Sequence, residues 1–153
     1  MSAGPGFGLL ATAIPSLGYA YKAAATITNG QVLFTVSNGP IMVQGLFSLC
    51  ATANDATAST LQYSATPTVG SAQTLSAASA SLASAAAGAS VALVGTALAT
   101  AALLNANGPN LGMTAPMFVP AGTITAVVGV GSTVGTWSHY IYYFALAPGV
   151  TVS

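Results

Sequence analysis

Formal charge is almost missing from this sequence. Its 153 residues include one basic side chain, Lys22, and one acidic side chain, Asp55. A typical soluble domain is about 25% charged, whereas 1% of this chain is charged. Because a net charge near zero promotes association, we expect neighbouring molecules to cover much of its surface.

The same shortage limits catalysis and metal binding. General acid–base chemistry needs positioned side chains such as His, Asp or Cys, and the chain has one of each, at His139, Asp55 and Cys50. A serine triad would have to use Asp55 and His139, and no G-x-S-x-G motif supports one. Metal sites usually need three or four such ligands. We therefore predict a protein that is not an enzyme and has no metal or cofactor, in which Cys50 is a buried thiol.

Three classes of partner or location are also disfavoured. Affinity for nucleic acid comes from several Lys and Arg residues, and Lys22 alone cannot provide it. The uncharged residues 75–104 are mostly Ala with recurring Ser and Thr, unlike a membrane-spanning helix, which needs about 20 strongly apolar residues. Residues 1–20 lack the basic start and continuous apolar core of a secretory signal. We expect neither a nucleic-acid partner nor a membrane.

Alternating hydrophobicity runs through much of the chain. An Asn-Gly-Pro turn signal occurs at residues 38–40 and again at 107–109. Short β runs separated by Gly, Pro and Asn are typical of an antiparallel β-sandwich or jelly roll. We predict a single, mainly β domain over residues 26–153, preceded by an extended N-terminal arm over residues 1–25. The stretches with clear alternation are residues 32–37, 60–66 and 123–130.

One stretch is apolar on both faces. Residues 41–51 have this pattern, which predicts a central strand. Strict alternation would place Phe47 and Leu49 on the same face of that strand as Ile41.

Residues 73–104 predict no single type of element. Their high Ala content favours helix, but Gly88 and Gly95 interrupt the segment, and Val and Thr residues within it favour strand. We expect short strands, with a helix as the alternative. The expected strands lie near residues 75–83, 90–96 and 99–104.

Large apolar residues near both ends of the chain are candidates for contacts with other molecules. A Gly-rich start does not order itself, so we expect the arm to bind a neighbour. The aromatic residues 136–146 either fill the core or anchor an interface, and the core is the favoured alternative. The candidate interface residues are Phe7, Leu9, Leu10, Ile14, Tyr19, Tyr21, Trp137, Tyr140 and Tyr142.

The edges of a β-sandwich need protection from other strands. Soluble proteins often place Lys on such edges, and this chain has one Lys. We therefore expect its edges to be satisfied by neighbouring molecules.

Four segments carry a resemblance to a known family. They are the strand pair of residues 33–46, the strand and turn of residues 61–70, Val-Pro-Ala-Gly-Thr-Ile at residues 119–124, and the aromatic stretch of residues 137–149. Together they resemble the small β-sandwich decoration, or cement, proteins of tailed bacteriophage capsids. The resemblance implies a protein made in the cytoplasm of a bacterial host and located on the capsid surface of the virion, often as a homotrimer. It also implies binding to the major capsid protein or another virion protein, which stabilises the contacts between capsomers.

Other assignments stay open at this point. The chain could be another virion component, such as a tail or fibre protein, or a self-assembling surface or filament protein of a cell. An enzyme or small-ligand binder would instead bring His139, Asp55 or Cys50 together in a pocket, and we expect these three residues to lie apart.

Overall fold

The computed structural model describes residues 17–130 and 134–153. Over these residues the chain contains strands and no helix, and the strands form two antiparallel sheets. Buried residues from both sheets form one hydrophobic core. The predicted antiparallel β-sandwich is confirmed, whereas the arm residues Phe7, Leu9, Leu10 and Ile14 lie outside the described residues.

Sheet A has six strands and sheet B has five. Sheet A runs in the order β1-β10-β3-β6-β7, with β8 also paired to β3, and sheet B runs in the order β11-β2-β9-β4-β5. Most neighbouring strands are therefore far apart in sequence. The strands are β1 (Leu17–Thr26), β2 (Val32–Ser37), β3 (Ile41–Cys50), β4 (Thr60–Pro67), β5 (Gln73–Thr74), β6 (Ser90–Ala92), β7 (Leu103–Asn105), β8 (Met117–Val119), β9 (Gly122–Gly129), β10 (Thr136–Ala145) and β11 (Thr151–Val152).

The last part of the predicted arm belongs to the sandwich. Residues 17–25, which were assigned to the arm, lie in β1, which pairs antiparallel with β10 from Leu17 to Thr26. Gly18 has a packing role in this strand. A Cβ at Gly18 would lie 2.4 Å from the ring of Tyr143, so glycine lets the ring of the neighbouring strand pack directly against the backbone.

Strand β3 is central, as predicted, with β10 on one side and β6 and β8 on the other. Its alternation is interrupted at Gln44. Gly45 lies opposite Tyr142 and Val43 lies opposite Tyr143, so Gln44 is an extra residue on β3. This is a β-bulge, which reverses the direction of every later side chain of the strand.

The bulge changes which residues of β3 reach the core. Before it Ile41 is fully buried, and after it Leu46 is fully buried. Phe47 and Leu49 consequently lie on the outer face of sheet A, and Leu49 is 38% exposed. The prediction that they share a face with Ile41 is wrong because it assumed uninterrupted alternation.

The Ala- and Ser-rich segment is neither helical nor fully extended. The strand expected near residues 90–96 is present as β6, and the one expected near 99–104 is reduced to β7 at its end. The prediction of a strand near residues 75–83 is wrong, since this stretch is irregular apart from one isolated bridge at Ala77.

Two serines of this irregular stretch take the place of a partner strand along β4. The amide of Tyr63 donates to Ser76 Oγ at 3.0 Å, and the amide of Leu61 donates to Ser79 Oγ at 3.1 Å. In return, the amides of Ser76 and Ser79 donate to the carbonyls of Tyr63 and Leu61 at 3.2 and 2.8 Å. This edge of sheet B is therefore satisfied within the chain.

The single Lys protects another edge. Lys22 lies on edge strand β1, opposite the buried His139, and its Nζ donates to the carbonyl of Val32 in sheet B. The register of β1 also shifts between Lys22 and Ala25. An inward-pointing charge and a bulge both discourage pairing with a foreign strand. At β1 and β4, contrary to expectation, the chain supplies its own edge protection.

We expect Ser76→Ala and Ser79→Ala each to lower the free energy of unfolding by about 1–3 kcal/mol, because each leaves a buried amide of β4 without its acceptor. Denaturant titration of the purified chain measures this loss. Ser71→Ala, at an exposed position just before β5, is the matched control and should change stability by less than about 0.5 kcal/mol. Equal effects at all three positions would contradict the proposed role of the hydroxyls.

Candidate functional site

Rows of large apolar side chains cross the outer face of sheet A. In one row Tyr21 lies opposite Tyr140, which lies opposite Phe47. In the next row Tyr19 lies opposite Tyr142. The third row crosses four strands, from β1 through β10 and β3 to β8. Its members are Leu17, Phe144, Met42 and Phe118. We call this surface the aromatic face; its residues are Leu17, Tyr19, Tyr21, Met42, Phe47, Leu49, Phe118, Tyr140, Tyr142 and Phe144.

The rings of the aromatic face contact one another in fixed pairs. The ring centroids of Tyr19 and Tyr142 are 5.4 Å apart, and those of Tyr21 and Tyr140 are 5.1 Å apart. Phe47 meets Tyr142 edge to face at 6.5 Å. Cross-strand aromatic pairs of this kind contribute about 0.2–1 kcal/mol each. The rings are thus packed against one another within the single chain.

These rings nevertheless remain open to solvent. Tyr19, Tyr21 and Phe118 are 54%, 51% and 56% exposed in the single chain. Contiguous exposed apolar surface of this kind is uncommon on a free soluble protein and marks interaction sites. Aromatic residues are also the residue type most enriched where interfaces derive their binding energy.

A shallow pocket of about 290 Å³ opens on the aromatic face between β3, β10 and the loop that follows β7. Phe47, Tyr140 and Tyr142 form its apolar part. Asn110 fixes the loop by donating from Nδ2 to the carbonyls of Leu103 at 2.8 Å and Ser90 at 3.2 Å. The pocket wall is therefore ordered, and no charged residue lines it.

The outer face of sheet B has a different chemistry. Ser64 lies opposite Thr125, and Thr123 lies opposite both Thr66 and Thr35. These side chains are neutral hydroxyls. Of the two outer faces of the sandwich, the face of sheet A is the apolar one and the better candidate for association.

The structure brings together four of the candidate interface residues. Tyr19, Tyr21, Tyr140 and Tyr142 all lie on the aromatic face. Trp137 does not, since it is 0% exposed. The prediction that Trp137 lies at an interface is wrong, because its side chain points into the core, as do those of His139 and Ile141 on the same strand.

Six residues of the aromatic face were not among the candidates, namely Leu17, Met42, Phe47, Leu49, Phe118 and Phe144. Phe47 and Leu49 were assigned to the wrong side of β3 because the bulge was not foreseen, although an isolated glycine inside a strand, here Gly45, is a known sign of one. Phe118 lies on β8, a strand of three residues, which is too short for alternation to show a direction.

A chain of hydrogen bonds crosses the core and links the two sheets. His139 Nδ1 in β10 lies 2.7 Å from Ser48 Oγ in β3, which lies 2.8 Å from Tyr63 Oη in β4. Tyr63 Oη also donates to the carbonyl of Val91 at 3.3 Å. His139, the most exposed of the three side chains, is 2% exposed. Polar groups so deeply buried are tolerated because each has a partner.

Burial sets the protonation of this network. It lowers the pKa of His139 to about 4, and the nearby charge of Lys22 acts in the same direction. Burial also raises the pKa of Tyr63 well above its ordinary value, partly offset by the hydrogen bond from Ser48. At neutral pH the network therefore consists of uncharged groups.

The residues that could support catalysis do not converge. Asp55 accepts hydrogen bonds from the amide and hydroxyl of Thr57 at 2.9 and 3.0 Å in an exposed loop. The Cys50 thiol donates to the carbonyl of Thr52 at 3.2 Å. His139 and Ser48 have the separation of a base and a nucleophile, but both are buried and closed to a substrate.

Two further classes of site are missing from the described part of the chain. Within residues 17–130 and 134–153, no three His, Cys, Asp or Glu side chains come close enough to hold a metal ion. The same residues contain no helix of the length and hydropathy needed to cross a membrane.

Comparison of the chain with family models, curated protein sequences and solved structures finds no match.

We expect the free energy of unfolding to fall by about 3 kcal/mol as the pH is lowered from 6.5 to 4. The pKa of His139 is 6.5 when exposed and about 4 in the fold, so the unfolded chain binds the proton first. The stability is fully present above pH 6.5 and is lost progressively down to pH 4. Denaturant titrations at a series of pH values measure this change in the free energy of unfolding.

The matched variants are His139→Gln, which removes the titrating group, and Asp55→Asn, which removes the acidic side chain and keeps the histidine. The first should flatten the pH dependence over this range and the second should retain it. An unchanged slope in His139→Gln would show that another group is responsible.

Proposed function

We propose that this chain is a structural protein of a virion, and more specifically a capsid decoration protein that is made in the cytoplasm of a bacterial host and binds the assembled shell. The observation that carries the proposal is a preformed aromatic face, largely open in the single chain, on a protein with one formal charge of each sign. Such a surface is suited to permanent contacts inside an assembly.

Apolar burial supplies the free energy of association in this proposal. Burial of apolar area contributes about 25 cal/mol per Å² before the entropic costs of binding. Pairing of strand edges contributes less, because Lys22 and the bulge of β1 discourage it at one edge and Ser76 and Ser79 occupy another. The aromatic face is therefore the main contact surface between neighbouring subunits, and the partner of the assembled protein is the major capsid protein or another virion protein.

Substitution of Tyr19 and Tyr21 by Ser tests the role of the aromatic face. Both side chains are about half exposed and lie outside the core, so the variant should fold. Loss of two aromatic anchors should weaken incorporation into purified particles by about 10- to 100-fold. Quantitative mass spectrometry of particles assembled with each variant measures this.

Gln62→Ala, on the outer face of sheet B, is the matched control and should be incorporated normally. Imaging of labelled wild-type protein on purified particles separates the alternatives. Label spread over the shell supports the decoration role, and label on the tail or on cellular filaments contradicts it.

The arm carries a separate prediction. Because β1 begins at Leu17, deletion of residues 1–16 removes the arm and leaves the described sandwich intact. We expect the truncated chain to retain its unfolding free energy and to bind particles more weakly than the full chain. Unchanged affinity in a particle-binding assay would exclude the arm from attachment.

A further inference from the structure

We infer that the aromatic face binds the aromatic face of a second copy, so that two chains form a dimer around a two-fold axis, in place of the homotrimer that the resemblance implies. This inference rests on the proposed function for its premise that the face is covered in the assembly. It goes further in naming a second copy as the occupant of the face, so that the shell is bound by the pair and loss of the pair weakens incorporation.

The distribution of charge favours a second copy. In a two-fold interface each residue near the axis faces its own counterpart, so any charge there would meet a like charge. Lys22 points into the sandwich towards Val32, and Asp55 is bound to Thr57 in an exposed loop. The aromatic face is left without formal charge. Its tyrosine hydroxyls can each donate and accept, which makes the face complementary to itself.

The available area is sufficient for a stable pair. Tyr19, Tyr21, Phe118 and Tyr142 are 54%, 51%, 56% and 38% exposed, and Leu17 and Leu49 are 58% and 38% exposed. With about 200 Å² for a large aromatic side chain, these residues offer roughly 500 Å² per copy. Two copies would bury about 1,000 Å², the lower bound expected of a specific interface.

The geometry of the sandwich allows this contact and disfavours others. Two sheets pack face to face about 10 Å apart with their strands roughly aligned, and the aromatic face is the outer surface of such a sheet. Pairing through the edge of β1 or β4 is obstructed by Lys22 and by the serines of residues 76–79. Face-to-face packing also covers the apolar surface itself, which pairing at a strand edge would leave exposed.

Sedimentation equilibrium of the isolated full chain tests the inference without any particle. The wild-type protein should have close to twice the mass of one chain at about 100 µM, where a dimer with a micromolar dissociation constant is largely formed. Tyr142→Glu places a charge in the centre of the face, and the dissociation constant should rise by at least about 100-fold because like charges then face each other. Gln62→Glu adds the same charge to the outer face of sheet B and should leave the dimer unchanged.

Circular dichroism checks that each variant is folded. If Tyr142→Glu does not fold, Tyr19→Glu replaces it, because Tyr19 is on an edge strand and is 54% exposed. A monomeric wild type, a trimer, an open polymer or a Tyr142→Glu protein that still forms the wild-type dimer would each overturn the inference. Failure to find the protein on virions would overturn the proposed function and leave the dimer standing, so the two outcomes are distinguishable.

Discussion

The structure depends on satisfying nearly all of its buried polar groups with neutral partners. Lys22 donates to the carbonyl of Val32 and Asp55 accepts from Thr57, and in the rest of the described sandwich serine, asparagine, tyrosine and backbone groups form the hydrogen bonds. Ser76 and Ser79 complete the edge of sheet B, and the bonds among His139, Ser48 and Tyr63 connect the sheets. Among the described buried side-chain nitrogen and oxygen atoms, one, Trp137 Nε1, has no partner.

The predictable part of the fold is the part governed by local alternation. Strands β4 and β9 were foreseen from their pattern, and Leu61 and Ile124 are buried as that pattern requires. Alternation predicts the wrong side-chain directions in β3, because the extra residue Gln44 interrupts it. It also gives no account of Ser76 and Ser79, whose hydroxyls accept hydrogen bonds from the amides of β4 in place of a partner strand. Propensity scales assign these serines to no particular role, because their function depends on amides that lie 13 and 18 residues away.

The candidate site was foreseen in its chemistry and in part of its location. Tyrosines at both ends of the chain were predicted to contact other molecules, but the pairing of β1 with β10 that brings Tyr19 beside Tyr142 is a long-range property. Nothing in the local sequence specifies which strand lies beside the edge strand. Trp137 was misplaced for the related reason that an aromatic strand of a sandwich has a core side and an outer side, and composition does not distinguish them.

The bulge in β3 has a consequence for how this protein can evolve. Both the buried Ser48 and the exposed Leu49 take their directions from the extra residue Gln44. In genetic terms, a single codon determines which residues in the second half of the strand point into the core and which point outward. Point substitutions on this strand alter one side chain, whereas loss of that codon would exchange core and outward-facing side chains along that half at once. Selection should therefore tolerate sequence drift in β3 far more readily than a change in its length.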